Sequence, residues 1–397
     1  MKKLMMATAA AALTAGTAFA GGHAKEVKLG ILLGFTGPIE SLTPHMAGAA
    51  EMAAAEVSAS GKLLDGAKVT TMRGDSACID NGIATASAEK LLSDGVNGIM
   101  GSDCSGVTGA VLQNVAVPNG MVMVSPSASS PGLSTMEDNG LFFRTTPSDA
   151  RQGQIMAEVL KDRGVNSIAL TYTNNDYGKG LSDAIKTSFE AAGGEVTIVA
   201  AHEDGKGDYS AEVGALASAG GDVLVVAGYL DQGGLGIIQG ALDTGAFDTF
   251  GLPDGMVGDS LPQNVGPDLD GSFGQFPGSQ SQGADIFAEM TKDADFDGSS
   301  AYVGESYDAA ALILLAMQAA GSMNPADYAG KILDVANAPG EPINPGELGK
   351  ALEILAAGGQ IDYQGATGVE LIGPGESAGS YREIEIKDGA VTTVKYR

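Results

Sequence analysis

The chain has 397 residues, 44% of them hydrophobic and 5% aromatic, with 59 glycines and no tryptophan. Its 49 acidic and 22 basic side chains give a formal charge of −27, a surface that repels nucleic acid and anionic membrane and so excludes both as partners. Three histidines and two cysteines at spacings that suit no metal argue against a metal site, and the lack of tryptophan argues against a receptor that stacks sugar rings on indole.

Met1-Lys2-Lys3 is a short basic segment, residues 4–19 carry no charge, and Ala18-Phe19-Ala20 has the small-x-small form of a signal-peptidase site. Residues 1–20 therefore read as a cleaved signal peptide, with Gly21 the first mature residue. The apolar stretch is too short and too rich in Ala and Thr for a membrane span. With no Cys beside the cleavage point, the mature chain is expected free in the periplasm, with about 377 residues and a charge of −29. In that oxidising compartment Cys78 and Cys104 are expected to form a disulfide, the alternative being two buried thiols. The bridge would contribute roughly 3 kcal/mol by restricting the unfolded chain.

From residue 26 onward strands and helices alternate. Val27–Leu33 reads as a strand, followed by a helix with Thr43 as N-cap, Pro44 at its first position and an apolar face of Met46, Ala49, Ala50, Ala53 and Val57. Strands at Lys68–Arg73, Gly98–Gly101 and Met121–Val124 are separated by helices at Ile83–Leu92 and Val107–Val115. The rhythm restarts with a helix at Ser148–Arg163. Strands then fall at Ser167–Tyr172, Glu195–Ala200 and Val223–Ala227, with helices at Tyr177–Ala192, Tyr209–Ala219 and Gly233–Thr244. Asp254–Gln282 is rich in Gly, Pro, Ser and Asn and reads as loops with a second crossover. Apolar helices follow at Tyr302–Ala320 and Gly346–Ala357, and Asp388-Gly389 marks a hairpin between Arg382–Ile386 and Val391–Tyr396. This pattern predicts an α/β protein of two doubly wound, three-layer lobes. The expected boundaries are 24–146 plus about 280–375 for lobe I and 147–279 plus about 376–397 for lobe II, with three hinge crossings.

Ligands bind open α/β sheets beyond the carboxyl ends of the strands. Two such ends are rich in small hydroxyl residues, Gly101-Ser102-Asp103-Cys104-Ser105-Gly106 and Ser125-Pro126-Ser127-Ala128-Ser129-Ser130. Free backbone N–H groups and hydroxyls there would hold a carboxylate locally, without a positive side chain; plain N-capping is the alternative. Asp254, in Pro253-Asp254-Gly255, is either a turn residue or a ligand contact. Tyr177 and Tyr229 stand at element ends where core-edge packing is the alternative, and Tyr302, Glu305 and Tyr307 head a helix that could line a cleft. Asp293-x-Asp295-x-Asp297-Gly298 opens like a calcium loop, but Gly304 stands where the closing Glu belongs, so a solvated acidic loop is expected. His45 and His202 are expected at the surface. No nucleophile elbow, phosphate-binding loop or dinucleotide fingerprint is present, so neither an enzyme nor a cofactor is expected.

These loops, with Leu29–Leu33 running into Thr36-Gly37-Pro38, Asp75-Ser76-Ala77-Cys78, Phe143-Arg144-Thr145-Thr146, Tyr177-Gly178, Gly228-Tyr229 and Tyr307-Asp308-Ala309-Ala310, resemble the branched-chain amino-acid-binding family of periplasmic receptors. The match runs in order from about residue 27 to 320. The resemblance implies a type I periplasmic-binding fold serving an ABC importer, a monomer that closes on an amino-acid-like ligand and delivers it to a membrane permease. It implies that Ser105 and Ser129 bind the α-carboxylate, the latter where the family has Thr. The Ser127 carbonyl beside Ala128 would accept from the α-ammonium, Tyr177 and Tyr229 would close over the ligand, and Asp254 would face the ammonium where Glu is commoner. A Tyr usual after Gly37-Pro38 is replaced near Leu42, which leaves the ligand side chain open. An aliphatic amino acid is favoured; an amide, urea or aromatic acid is the same-fold alternative, and an exported hydrolase or sensor the alternative from another class.

Overall fold

The computed structural model describes residues 25–397; the signal peptide expected over residues 1–20 lies outside them. Five strands open the first sheet: β1 (Glu26–Leu33), β2 (Lys68–Asp75), β3 (Gly98–Gly101), β4 (Met123–Ser125) and β5 (Phe142–Arg144). Five more open the second: β6 (Ser167–Thr173), β7 (Glu195–His202), β8 (Val223–Ala227), β9 (Phe250–Leu252) and β10 (Phe273–Pro277). The chain returns to the first lobe for a small parallel pair, β11 (Glu341–Ile343) and β12 (Ile361–Tyr363), then β13 (Leu371–Ile372) and β14 (Glu376–Ser377). It ends in the second with β15 (Tyr381–Lys387) and β16 (Ala390–Tyr396).

The sheet orders, β13-β14-β5-β4-β3-β1-β2 and β16-β15-β10-β9-β8-β6-β7, repeat one doubly wound pattern. In each lobe the first strand lies between the second and third, paired parallel to both. The chain leaves this switch point in opposite directions, which opens a crevice at the strand ends. The chain passes between sheets after β5, after β10 and after β14, so Glu376–Ser377 still belongs to the first sheet.

Central strands are apolar on both faces because helices cover both sides. β8 is buried throughout, whereas the edge strand β7 is largely half-exposed. The helix Val303–Ala320 is buried almost all round and packs on Thr43–Ser60, whose small residues Ala49, Ala50 and Ala53 permit close approach. Among the described residues no single helix is long and apolar enough to cross a membrane.

Two expectations need correction. Thr43 does not cap its helix: Leu42 occupies the cap position, and the Thr43 hydroxyl donates to the Gly34 carbonyl at 3.0 Å, tying the helix to the loop after β1. His202 is not a surface residue. It ends β7 at 1% exposure, with Nδ1 2.8 Å from the Thr171 hydroxyl, because Gly228 and Gly233 close directly over its ring. His45 is half-buried, and its Nδ1 accepts from the Asp297 N–H at 3.0 Å. Asp297, the third acid of the calcium-like stretch, uses Oδ1 to accept from Ser299 N–H and Oγ.

Candidate ligand-binding site

The loops beyond β1, β2 and β3 are knotted together by Asp103. Its buried carboxylate accepts from Gly34 N–H at 2.6 Å, the Ser76 hydroxyl at 2.8 Å and its neighbour Cys104 N–H at 3.0 Å. Cys78 and Cys104 form a disulfide across the same loops. Ser105, the first residue of the helix Ser105–Val111, is thereby fixed at the crevice. Its hydroxyl oxygen accepts from Ser130 N–H at 3.1 Å, so its proton is left to donate elsewhere.

The Ser125–Ser130 loop is folded from within. Ser125 Oγ donates to the Ser102 carbonyl at 2.5 Å and accepts from Ala128 N–H at 3.0 Å, while Ser127 Oγ donates to the Asp103 carbonyl at 3.0 Å. Behind the loop Arg144, 1% exposed, donates to the carbonyls of Ala128 and Ser130, both at 2.9 Å, and pairs with Glu376 at 2.5 Å. The Ser129 hydroxyl donates to Asp149 Oδ2 at 3.0 Å.

From the opposite lobe, Asn175 caps the helix Asp176–Ala191 and sets Tyr177 in its first turn. Tyr229 follows β8, and its ring stacks on that of Tyr177 with centroids 5.1 Å apart and planes 16° off parallel. Asp254 is 1% exposed. It accepts from the Tyr177 hydroxyl at 2.5 Å, from Gly255 N–H at 2.8 Å and from the Tyr302 hydroxyl. Gly255 can only be glycine, since a Cβ would stand 2.6 Å from the Gly228 carbonyl and 2.7 Å from the Tyr177 hydroxyl.

Ser105, Ser127, Tyr177 and Tyr229 thus meet around one cavity, narrow in this arrangement of the lobes at about 20 Å³, completed by Asp103, Cys104, Gly255, Tyr302, Ile39 and Leu42. Ala128, Ser129 and Asp254 are buried, and Asp254 is bonded to two of the lining residues, Tyr177 and Tyr302. The lobes touch across the cleft: Asp231 N–H donates to the Pro38 carbonyl at 3.0 Å, Ser41 N–H to Asp231 Oδ2 at 2.9 Å, and Ser130 Oγ to the Asp176 carbonyl at 3.1 Å.

Burial raises the pKa of Asp254, partly offset by its phenol and amide donors. Asp149 is pushed further up, first by burial and then by the negative charge of Asp254; the Ser129 bond and Arg144 oppose this weakly. Asp254 is thus compensated by neutral donors alone, and Asp149, whose nearest cation Arg144 is paired with Glu376, feels its charge. A cation reaching them from the cavity would be stabilised.

Asp103 and Arg144 stood in segments that carry the resemblance, but neither they nor Asp149 stood out as loop ties. Asp103 at a strand end just before a helix start was the readable signal; nothing local pointed from Arg144 to Glu376, 232 residues away.

Residues 26–340 match the sequence model of the periplasmic binding proteins. The chain belongs to the periplasmic binding protein family. It is 31% identical over 324 residues to the Leu/Ile/Val-binding protein homolog 1 of Brucella melitensis, covering 80% of this chain and 85% of that one. A leucine-binding protein, LivK, of Thermotoga maritima shares the fold with a TM-score of 0.79 at 22% identity, over 93% of this chain and 98% of that one. The substrate-binding protein LivJ of Streptococcus pneumoniae, in complex with isoleucine, does so at 0.74 and 20% identity, over 94% of this chain and all of the other.

Proposed function

We propose that this periplasmic binding protein is the solute-binding component of an ABC importer and takes an amino acid, aliphatic side chains favoured, into the cavity between its lobes. The observation that carries this reading is the division of chemistry across the cavity. Ser105, at a helix start, offers a hydroxyl proton and backbone N–H groups to a carboxylate. Tyr177, Tyr302 and the carboxyl of Asp254 behind them suit an ammonium. Ile39 and Leu42 give an apolar wall for the side chain. The buried carboxyls favour a zwitterion over a simple amide, urea or aromatic acid, none of which carries a cation to compensate them. The Leu/Ile/Val-binding name of the Brucella relative and the isoleucine held by LivJ support the same substrate class.

In this reading Tyr177 and Tyr229 arrive with the second lobe, so ligand contacts made only when the lobes meet stabilise the closed form. The protein acts as an exported monomer released by cleavage after Ala20, and its closed form is what a membrane permease recognises. Mass spectrometry of small molecules freed by mild denaturation of the protein, purified from its own periplasm, tests the substrate class. An aliphatic amino acid at near-stoichiometric yield is expected; release of only non-amino-acid solutes would overturn the proposal.

A further inference from the structure

On the far side of Tyr302 lies a second cavity of about 540 Å³, walled by both lobes. The first lobe contributes Glu305 from the first turn of Val303–Ala320; the second contributes Arg382 of β15 and Phe276 of β10. Glu305 is 4% exposed. Its backbone carbonyl accepts from the Thr145 hydroxyl at 2.8 Å, but its carboxyl receives only its own backbone N–H.

Arg382 opposes it. The guanidinium lies over the Phe276 ring, 4.3 Å from the centroid, its Nε is buried without a partner, and its one hydrogen bond runs 3.5 Å to the Ser299 carbonyl. An arginine carries five donors in a planar fork suited to a carboxylate. In a chain with more than twice as many acidic as basic side chains, Arg382 has no ion pair among the described residues and, unlike the exposed Arg151, holds its Nε buried and without a partner. The other charges at the cavity are Lys292, paired with Glu289, Asp297, engaged by Ser299, and Asp285.

We propose that this cavity is a second binding site, taking a small organic carboxylate between Arg382 and Glu305. Arg382 supplies the charge. Glu305, whose pKa burial raises to about 8 with a smaller push from Asp308 against the pull of Arg382, is neutral at pH 7 and donates its proton to the same carboxylate. The walls come from both lobes, so an occupant favours the closed form, whatever fills the front cavity.

Propionate is a suitable probe, since it has no ammonium group for Asp254. Melting temperature is followed against millimolar propionate at constant ionic strength and pH 7, with and without an amino acid that saturates the front cavity. The site predicts a saturable rise in both cases, at least fivefold weaker in Arg382→Gln, with amino-acid affinity in that variant intact as proof of folding. The rise should fade above pH 8 in the parent and persist there in Glu305→Gln. A wild-type protein that gives no saturable response, an equal response in Arg382→Gln, or propionate that competes with the amino acid would each overturn the second site. If no amino acid binds at all, the propionate response of parent and variant still reads this site alone.

Discussion

Asp254 accepts from two phenols, and in the proposed function it is the residue that compensates the ligand's cation. Asp254→Asn keeps its size and removes the charge. The variant should lose about 2 kcal/mol of amino-acid affinity, roughly thirtyfold, as expected for a hydrogen-bonded charge left without its partner; titration calorimetry reads this directly, and an unchanged affinity would take Asp254 out of the site. His202 and Glu305 make pH-dependent contributions of opposite sign. Burial lowers the pKa of His202 from 6.5 to about 4, so the unfolded chain binds more protons between those values. Stability should therefore fall as pH drops from 6.5 toward 4, by up to about 3 kcal/mol. Urea midpoints at pH 7 and 4.5 should show a smaller fall for His202→Gln than for the parent. Glu305 is raised from 4.5 to about 8, so its contribution is complete below pH 4.5 and is lost as pH rises through 8. Glu305→Gln should accordingly be more stable than the parent above pH 8, by a few kcal/mol, and close to it at pH 4.5.

At the scale of elements, the Ser125–Ser130 loop depends on one side chain from the strand beside it. Arg144→Ala would strip the Ala128 carbonyl of its donor, remove one of two donors from the Ser130 carbonyl and leave Glu376 with the Ser134 hydroxyl alone, at a cost of about 3–5 kcal/mol measured by urea unfolding; a loss below 1 kcal/mol would show the loop to be self-supporting. The same elements show what was legible beforehand. Long periodic segments such as Val303–Ala320 and Gly233–Thr244 could be placed within a residue, since the helical repeat of apolar positions is written locally. β5, β9 and β10 could not, because three to five residues among Gly, Pro and Phe carry no period of their own and become strands only by pairing with distant neighbours. The helix starts divide in the same way. Ser148 caps its helix through Ala150 N–H, whereas Thr43 spends its hydroxyl on Gly34, a contact that depends on where β1 lies. Of the candidate site, Ser105 and Ser127 could be placed at one cavity because strand ends of a doubly wound sheet converge, while Tyr177 and Tyr229 followed only from the family resemblance. That Ser129 points to Asp149, and that His202 is buried, depended on packing no local pattern records.

For the whole molecule, two lobes of one topology meet at their switch points, and a charge of −27 surrounds them. Self-repulsion on that scale opposes compaction and is screened by salt, the Debye length falling from about 30 Å at 0.01 M to about 3 Å at 1 M. The melting temperature should therefore climb over that range in sodium chloride; a flat profile would show that the acidic residues are too dispersed to strain the fold. In the proposed function the cavity between the lobes selects a zwitterion with an aliphatic side chain. Calorimetric titration of the mature protein with leucine, isoleucine, valine and alanine, beside benzoate and urea, tests it most directly. One-to-one binding of at least one of these amino acids in the cavity shared by Ser105 and Tyr177 is expected, with no competition from benzoate or urea. Tight binding of benzoate or urea in that cavity, with none of the amino acids bound, would contradict it.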